Sequence, residues 1–190
     1  MMLIQLLVLS VLAFSAGTTA MSETSVEVKL KTASSAYLSG KYAESAKLIE
    51  EALLEVKQKA PLVIENFYLI RREAPHFGGF EPRGNDIYES AEPIYFYLEP
   101  NNVVFVKKGE VYTAGFWIDC ILKDQKGEVL LEQKKFLDAE FNSRSPISDM
   151  FANINFDLSG APAGTYNIEF TVRDQNSNKS AKVQKEVKIE

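Results

Sequence analysis

The sequence predicts an α+β protein in which an N-terminal helical hairpin precedes an antiparallel β-sandwich. The first observation is the period of the N-terminal part: between residues 25 and 59, apolar side chains recur every three or four positions, as in amphipathic helices. The second is the alternation of apolar and polar residues from residue 93 onward, in segments separated by turns rich in Gly, Pro, Asn and Asp. The predicted units are residues 21–61 for the hairpin and 62–190 for the sandwich.

Residues 1–20 predict a secretory signal peptide. They contain no charged side chain, and the apolar run from Leu3 to Phe14 is shorter than a membrane span requires. Small residues follow and end at Ala20, a plausible cleavage site. We therefore expect a secreted or periplasmic protein of the cell envelope, with no integral membrane span after cleavage. Because no Lys or Arg precedes the apolar run, an uncleaved anchor or a start at Met21 stays open.

The predicted hairpin consists of two short amphipathic helices. Gly40 marks the end of the first helix, the second begins at Tyr42, and Pro61 follows its end. Each helix has one apolar stripe: Val26, Leu30, Ala33, Tyr37 and Leu38 in the first, and Ala46, Ile49, Leu53 and Val56 in the second.

The second helix begins with the pattern G-K-Y-x-x-S-A-x-x-I-x-x-A-L, carried by Gly40, Tyr42, Ala52 and Leu53. This pattern resembles a single tetratricopeptide repeat, although Ser45 occupies the usual alanine position and Ala33 stands where glycine is typical. No second copy follows, and arrays need about three repeats to bury a continuous core. We therefore expect a hairpin that packs on the sandwich or acts as a spacer.

The sandwich is predicted from strands of regular length between turns. Residues 62–74 are ambiguous, since they fit either a short helix or a first strand at residues 67–72. Six or seven strands with regular turns are typical of an immunoglobulin-like sandwich, here without the Cys…Trp…Cys spacing of antibody domains. The six further strand candidates are Pro93–Glu99, Glu110–Lys123, Glu128–Leu137, Met150–Leu158, Gly164–Asp174 and Lys179–Ile189.

The segment from Leu158 to Asp174 contains Pro162-Ala163-Gly164-x-Tyr166 followed by strict alternation. It is similar to the last strands of bacterial extracytoplasmic immunoglobulin-like or fibronectin-III-like domains. The segment from Gly79 to Tyr97 is similar to envelope proteins that pair helical repeats with such a domain. The resemblance implies a fold and an extracytoplasmic location, and it implies no specific function because sandwiches serve many unrelated roles.

Composition and residue spacing exclude several function classes. The net charge of −5 with scattered basic residues argues against binding to nucleic acid. One cysteine, Cys120, cannot form an internal disulfide, and one histidine, His76, excludes His-rich metal sites. No paired carboxylates, nucleophile–base pair or metal-ligand spacing stands out. We therefore expect no enzyme, cofactor or metal, but a binding or assembly module of the envelope with a protein partner; an extracytoplasmic hydrolase or a protease-inhibitor-like protein is the alternative.

Three aromatic residues form the candidate partner site. Tyr95, Tyr97 and Trp117 fall on the less apolar faces of their predicted strands. If these strands share a sheet, the three side chains form one outward aromatic patch, and such patches mark interaction surfaces. The alternative, which we favour, is that the helical hairpin docks there, since its apolar stripe must be buried somewhere.

Overall fold

A computed structural model describes residues 24–190, so the predicted signal peptide lies outside the described residues. The elements, in chain order, are α1 (Ser25–Leu38), α2 (Tyr42–Lys59), β1 (Val63–Ile70), β2 (Ile87–Tyr88), β3 (Ile94–Asn101), β4 (Val106–Lys108), β5 (Val111–Asp124), β6 (Val129–Ser143), β7 (Ala152–Phe156), β8 (Gly164–Asp174) and β9 (Ser180–Ile189). This composition confirms the α+β class. Within residues 24–190, no helix is long and apolar enough to cross a membrane.

Small residues close the helical hairpin. Four of them, Ala33 and Ala36 of α1 and Ser45 and Ala52 of α2, are buried where the helices meet. Small side chains let the helix backbones approach closely and bury little apolar area. A capping box starts α1: the Thr24 hydroxyl accepts a hydrogen bond from the backbone N–H of the third helical residue.

One edge of the hairpin is held by ion pairs. Lys29 of α1 contacts the carboxylates of Glu51, at 3.7 Å, and Glu55 of α2. Ser25 also donates a hydrogen bond to Glu55 at 3.1 Å. These contacts set the register of the two antiparallel helices, since they pair residues near the start of α1 with residues near the end of α2.

The strands form two sheets that face each other across one core. The smaller sheet has the order β1-β3-β7, and all its pairs are antiparallel. The larger sheet has the order β2-β9-β8-β5-β4, with β6 on the other edge of β5. Only the two-residue β2 pairs in parallel, with β9, among the strand pairs of residues 24–190. Apolar residues of both sheets belong to one buried cluster.

Phe170 lies at the centre of this core, as the alternation in β8 predicts. Its side chain is fully buried, and four aromatic rings surround it. The ring of Phe96 is 5.1 Å away, centroid to centroid, and the others are Phe67 at 6.1 Å, Phe156 at 6.4 Å and Phe136 at 6.5 Å. These rings come from both sheets, so Phe170 joins the two layers.

The β8 strand begins with a tyrosine that fastens it to the preceding loop. The hydroxyl of Tyr166 donates a hydrogen bond to the backbone carbonyl of Pro162 at 2.7 Å. The ring itself is buried in the core. The Pro-Ala-Gly-x-Tyr segment therefore forms a fixed corner before the strand.

The observed strands differ from the predicted ones at several places. The ambiguous segment 62–74 contains a strand, β1, and no helix. The β6 strand continues to Ser143 because its residues after the predicted end at Leu137 keep a regular pairing with β5; the irregularity in this pairing, between Ile118 and Cys120, comes before Leu137. The sequence did not predict β2 and β4, which are too short to show a period.

The hairpin joins the sheets at the C-terminal end of α2. The Lys179 ammonium donates hydrogen bonds to the backbone carbonyls of Lys57 and Asn102, each at 3.0 Å. The side chain of Gln58 donates to the carbonyl of Phe105 at 3.0 Å, and Asn102 donates to that of Pro61 at 2.9 Å. The opposite end of the hairpin, with its turn at Gly40, makes none of these contacts.

Candidate functional site

The helical hairpin has an exposed apolar surface. We define the hairpin face by six side chains, each between 48 % and 63 % exposed: Leu30 and Tyr37 of α1, and Tyr42, Ile49, Leu53 and Val56 of α2. Five of them belong to the predicted stripes and Tyr42 is the first residue of α2, whereas the residues buried between the helices are alanine and serine. The hairpin therefore has its small residues inside and its large apolar residues outside.

The spacing along α2 places the exposed residues on one line. Tyr42, Ala46, Ile49, Leu53 and Val56 follow each other at intervals of four and three residues. Because each helical residue turns the chain by about 100°, this spacing keeps all five within a narrow arc. It is the seam spacing of helices that pack side by side. At the hairpin turn, the rings of Tyr37 and Tyr42 meet edge to face with centroids 5.3 Å apart, which joins the two helices' parts of the surface.

A different side of α2 faces the β part of the protein. A cleft of about 540 Å³ separates this side from the loops after β3 and β6, and Leu54 lines it together with Phe105, Ile147 and Met150. Leu53 borders the cleft and stays about half exposed. The expected burial of the whole apolar stripe under the sandwich does not occur.

Tyr97 lies on the outer side of the smaller sheet and is fully buried. Its ring stacks on Phe80 at 4.4 Å and on Phe151 at 5.6 Å between centroids. Its hydroxyl donates to the carboxylate of Glu99 and accepts the N–H of Gly78 at 2.8 Å. Burial, and then the hydrogen bond to Glu99, raise the pKa of Tyr97 to about 12. Tyr97 is thus packed under the loop after β1.

Tyr95 and Trp117 do not complete a common patch with Tyr97. Tyr95 is half-buried in the same small cluster as Tyr97. Trp117 belongs to β5 in the other sheet, where it is half-buried and has the ammonium of Lys135 4.7 Å from its ring centroid. The condition for a single patch, a shared sheet, is not met. A role of each residue in partner binding or helix docking stays a prediction.

Next to Trp117, the carboxylate of Asp119 holds an irregular part of β6. Asp119 is buried and accepts hydrogen bonds from the Nε of Arg173 at 2.7 Å and the backbone N–H of Lys135 at 3.0 Å. The Lys134 ammonium is 3.6 Å away. Burial acts to raise the pKa of Asp119, but the hydrogen bonds and positive charges outweigh it and hold the pKa below its usual value. The backbone of Lys135 has a φ of +50°, and Asp119 stabilises this turn of the chain.

The other reactive side chains have structural surroundings. Cys120 is fully buried, and burial raises the pKa of its thiol to about 12, which keeps it protonated. The Nδ1 of His76 lies 3.0 Å from the carbonyl of Phe77, and its ring lies against Gly79. Within the described part of the chain, no group of three or more His, Cys, Asp or Glu side chains could hold a metal ion.

The sequence identified the apolar stripe of α2 and led us to expect that it docks on the sandwich. A signal for the true arrangement was present, because Ser45 and Ala52 are seven residues apart on the flank of that stripe. Small residues at this spacing indicate a close helix–helix contact, and the contact with α1 uses that flank. The large residues are then left facing outward.

Comparisons with known proteins give no family. No protein-family model matches the chain, and no curated protein matches its sequence. A superoxide reductase (neelaredoxin) from Ignicoccus hospitalis is 9% identical with a TM-score of 0.35, over 67% of this chain and 82% of that one. A family 123 glycoside hydrolase from Clostridium perfringens is 7% identical with a TM-score of 0.35, over 67% of this chain and 27% of the hydrolase. The alkylpurine DNA glycosylase AlkC from Pseudomonas fluorescens is 11% identical with a TM-score of 0.34, over 78% and 38% of the two chains.

These comparisons correct one prediction. The sequence led us to expect that the protein is not an enzyme, whereas the solved structures that it resembles carry the names of enzymes. We therefore withdraw that expectation. With TM-scores of 0.34 to 0.37, the likeness transfers neither a fold nor an activity to this chain.

Proposed function

We propose that this protein is an exported binding or assembly module of the cell envelope, and that the hairpin face is its protein interface. The observation that carries the proposal is the inverted hairpin: the residues between the helices are small, while six large apolar side chains remain about half exposed. Apolar surface contributes about 25 cal/mol of stabilising free energy per Å² when it is buried, and this contribution is missing where the surface stays in water. A connected apolar surface on a folded protein therefore marks an interaction site more often than a random surface does.

The shape of the hairpin face indicates which kind of partner it takes. A line of side chains at intervals of four and three residues forms holes that receive the side chains of another amphipathic helix. Helix-in-groove recognition uses the same anchors, at i, i+3, i+4 and i+7. We therefore infer that the partner contributes helices, and that the hairpin acts as one tetratricopeptide-like unit that is completed by its partner.

We also propose that the β part is an immunoglobulin-like sandwich that holds this hairpin. Two features support the assignment. The order β6-β5-β8-β9 in one sheet, opposite β1-β3-β7, corresponds to the C′-C-F-G and A-B-E strands of such domains. The hydrogen bond from Tyr166, near the start of β8, to the carbonyl of Pro162 upstream corresponds to their tyrosine corner.

Export rests on the composition of residues 1–20. The measurement is the mass of the protein purified from its native host. We expect an N terminus directly after Ala20, because the apolar run is too short for a stable span and is followed by small residues. An intact Met1 in a cytosolic fraction would contradict export.

The interface is tested by comparing three proteins as bait in an envelope extract: wild type, Ile49→Asp and Val28→Asp. Val28 is the matched control, since it is 47% exposed against 49% for Ile49 but lies on the opposite side of α1 from the hairpin face. We expect the wild type and Val28→Asp to retain the same partner, and Ile49→Asp to lose it. A further copy of this chain counts as such a partner. Equal retention by all three would exclude the hairpin face as the interface.

A further inference from the structure

We propose that a second copy of this chain covers the hairpin face, so that α2 of each copy packs against α1 of the other in a four-helix bundle. This inference rests on the proposed function and names its partner. The arrangement has a two-fold axis along the hairpin, which makes the same surface serve on both copies. Each helix then lies between antiparallel neighbours, the arrangement of up-and-down helix bundles.

The exposed area is sufficient for such a dimer. Six side chains that are each about half exposed, two of them tyrosines, present roughly 600 Å² on each copy, and the total of ~1,200 Å² reaches the lower bound of specific interfaces. Tyr37 and Tyr42, at 61% and 63% exposed, supply the largest parts. Tyrosine is among the residues that contribute most to interfaces.

The register of the hairpin decides which residues would meet. Lys29 of α1 is level with Glu51 and Glu55 of α2, and Tyr37 is level with Tyr42. A two-fold axis along the hairpin keeps these levels. Ile49 would therefore face Leu30 of the second copy, and Tyr42 would face its Tyr37. Apolar residues then meet apolar residues at both of these levels.

The charges beside the seam are complementary in this arrangement. Glu50 and Lys57 lie on α2 between the seam and the cleft, which both residues line, and Glu27 and Lys31 lie on the outer side of α1. At equal levels, Glu50 would lie near Lys31 of the second copy. Because helical side chains lean toward the N terminus, Lys57 would reach toward Glu27 of the second copy. The two-fold axis repeats each pair, so four opposite-charge contacts border the bundle.

The first test measures the mass of the purified protein by sedimentation equilibrium over a concentration series. We expect the wild type to approach twice the monomer mass as concentration rises. Ile49→Asp should remain a monomer, because it places a carboxylate opposite Leu30, while the control Val28→Asp should dimerise like the wild type. A wild type that stays monomeric, or an Ile49→Asp variant that dimerises normally, overturns the proposal.

The second test reverses charges on two exposed residues. Glu50→Lys and Lys31→Glu each turn two attractions into repulsions, which should weaken the dimer about tenfold at low salt, and the double variant should restore it. A double variant no stronger than the single ones overturns the arrangement. If the wild type is monomeric but the hairpin face still retains another protein, the second copy is excluded and the proposed function stands. If the wild type is monomeric and the hairpin face retains no protein at all, both the dimer and the proposed function are excluded.

Discussion

Replacing Phe170 by alanine tests the two-layer core most directly. The side chain is fully buried and touches aromatic rings from both sheets, the nearest being Phe96 at 5.1 Å between centroids. Phe→Ala in a packed core costs about 3–5 kcal/mol, and each aromatic pair adds about 0.5–1.5 kcal/mol beyond area burial. Since four rings surround this position, we expect a loss of about 4–5 kcal/mol.

That loss is large for a domain of this size. Folded domains are stable by about 5–15 kcal/mol, so Phe170→Ala should remove roughly a quarter or more of the free energy of unfolding. Urea unfolding, followed by far-ultraviolet circular dichroism, measures the midpoint and the slope. We expect a much lower midpoint with a similar slope, because the surface exposed on unfolding changes little.

The matched control is Lys182→Ala on the outer face of the neighbouring strand. The Lys182 ammonium pairs with Glu169 at 2.9 Å, but its side chain is 64% exposed. Exposed ion pairs contribute about 0–1 kcal/mol, so this variant should unfold near the wild-type midpoint. Equal midpoint shifts for Phe170→Ala and Lys182→Ala would refute the assignment of β8's inward face.

Three further predictions use other groups. Asp119→Asn should destabilise the protein at neutral pH. Because the folded pKa of Asp119 is below its unfolded value of about 3.9, its stabilisation is present above that pH and is lost as pH falls through the folded pKa, so the wild-type and variant unfolding free energies should converge in acid. Cys120 should resist a thiol reagent in the native protein and react only after denaturation, since burial raises its pKa to about 12; rapid native labelling would contradict its burial. Lys135→Ala should shift the emission of Trp117, because the ammonium lies 4.7 Å from its ring, whereas Lys123→Ala should leave the emission unchanged.

Elements with a clear local period could be predicted from the sequence. The alternation in Gly164–Asp174 identified Phe170 and its inward neighbours because strand side chains point alternately to the two faces. Gly40 marked the hairpin turn, where its φ is +76°. The candidate site could be predicted only in part: the stripe of α2 was identified, but its exposure was not.

The sequence alone determined the α+β class, the two helices, most strands and the inward face of β8, because these depend on periods within a few residues. Only the tertiary structure decided which strands share a sheet. It placed Tyr97 on β3 beside β1 and β7, and Trp117 on β5 beside β8, pairings between residues far apart in the chain. The tertiary structure also decided that α1 packs on Ser45 and Ala52, which leaves the hairpin face exposed. An amphipathic pattern shows that a stripe is apolar, but it does not show what buries the stripe. The contacts that bury it come from elsewhere in the fold or from a partner.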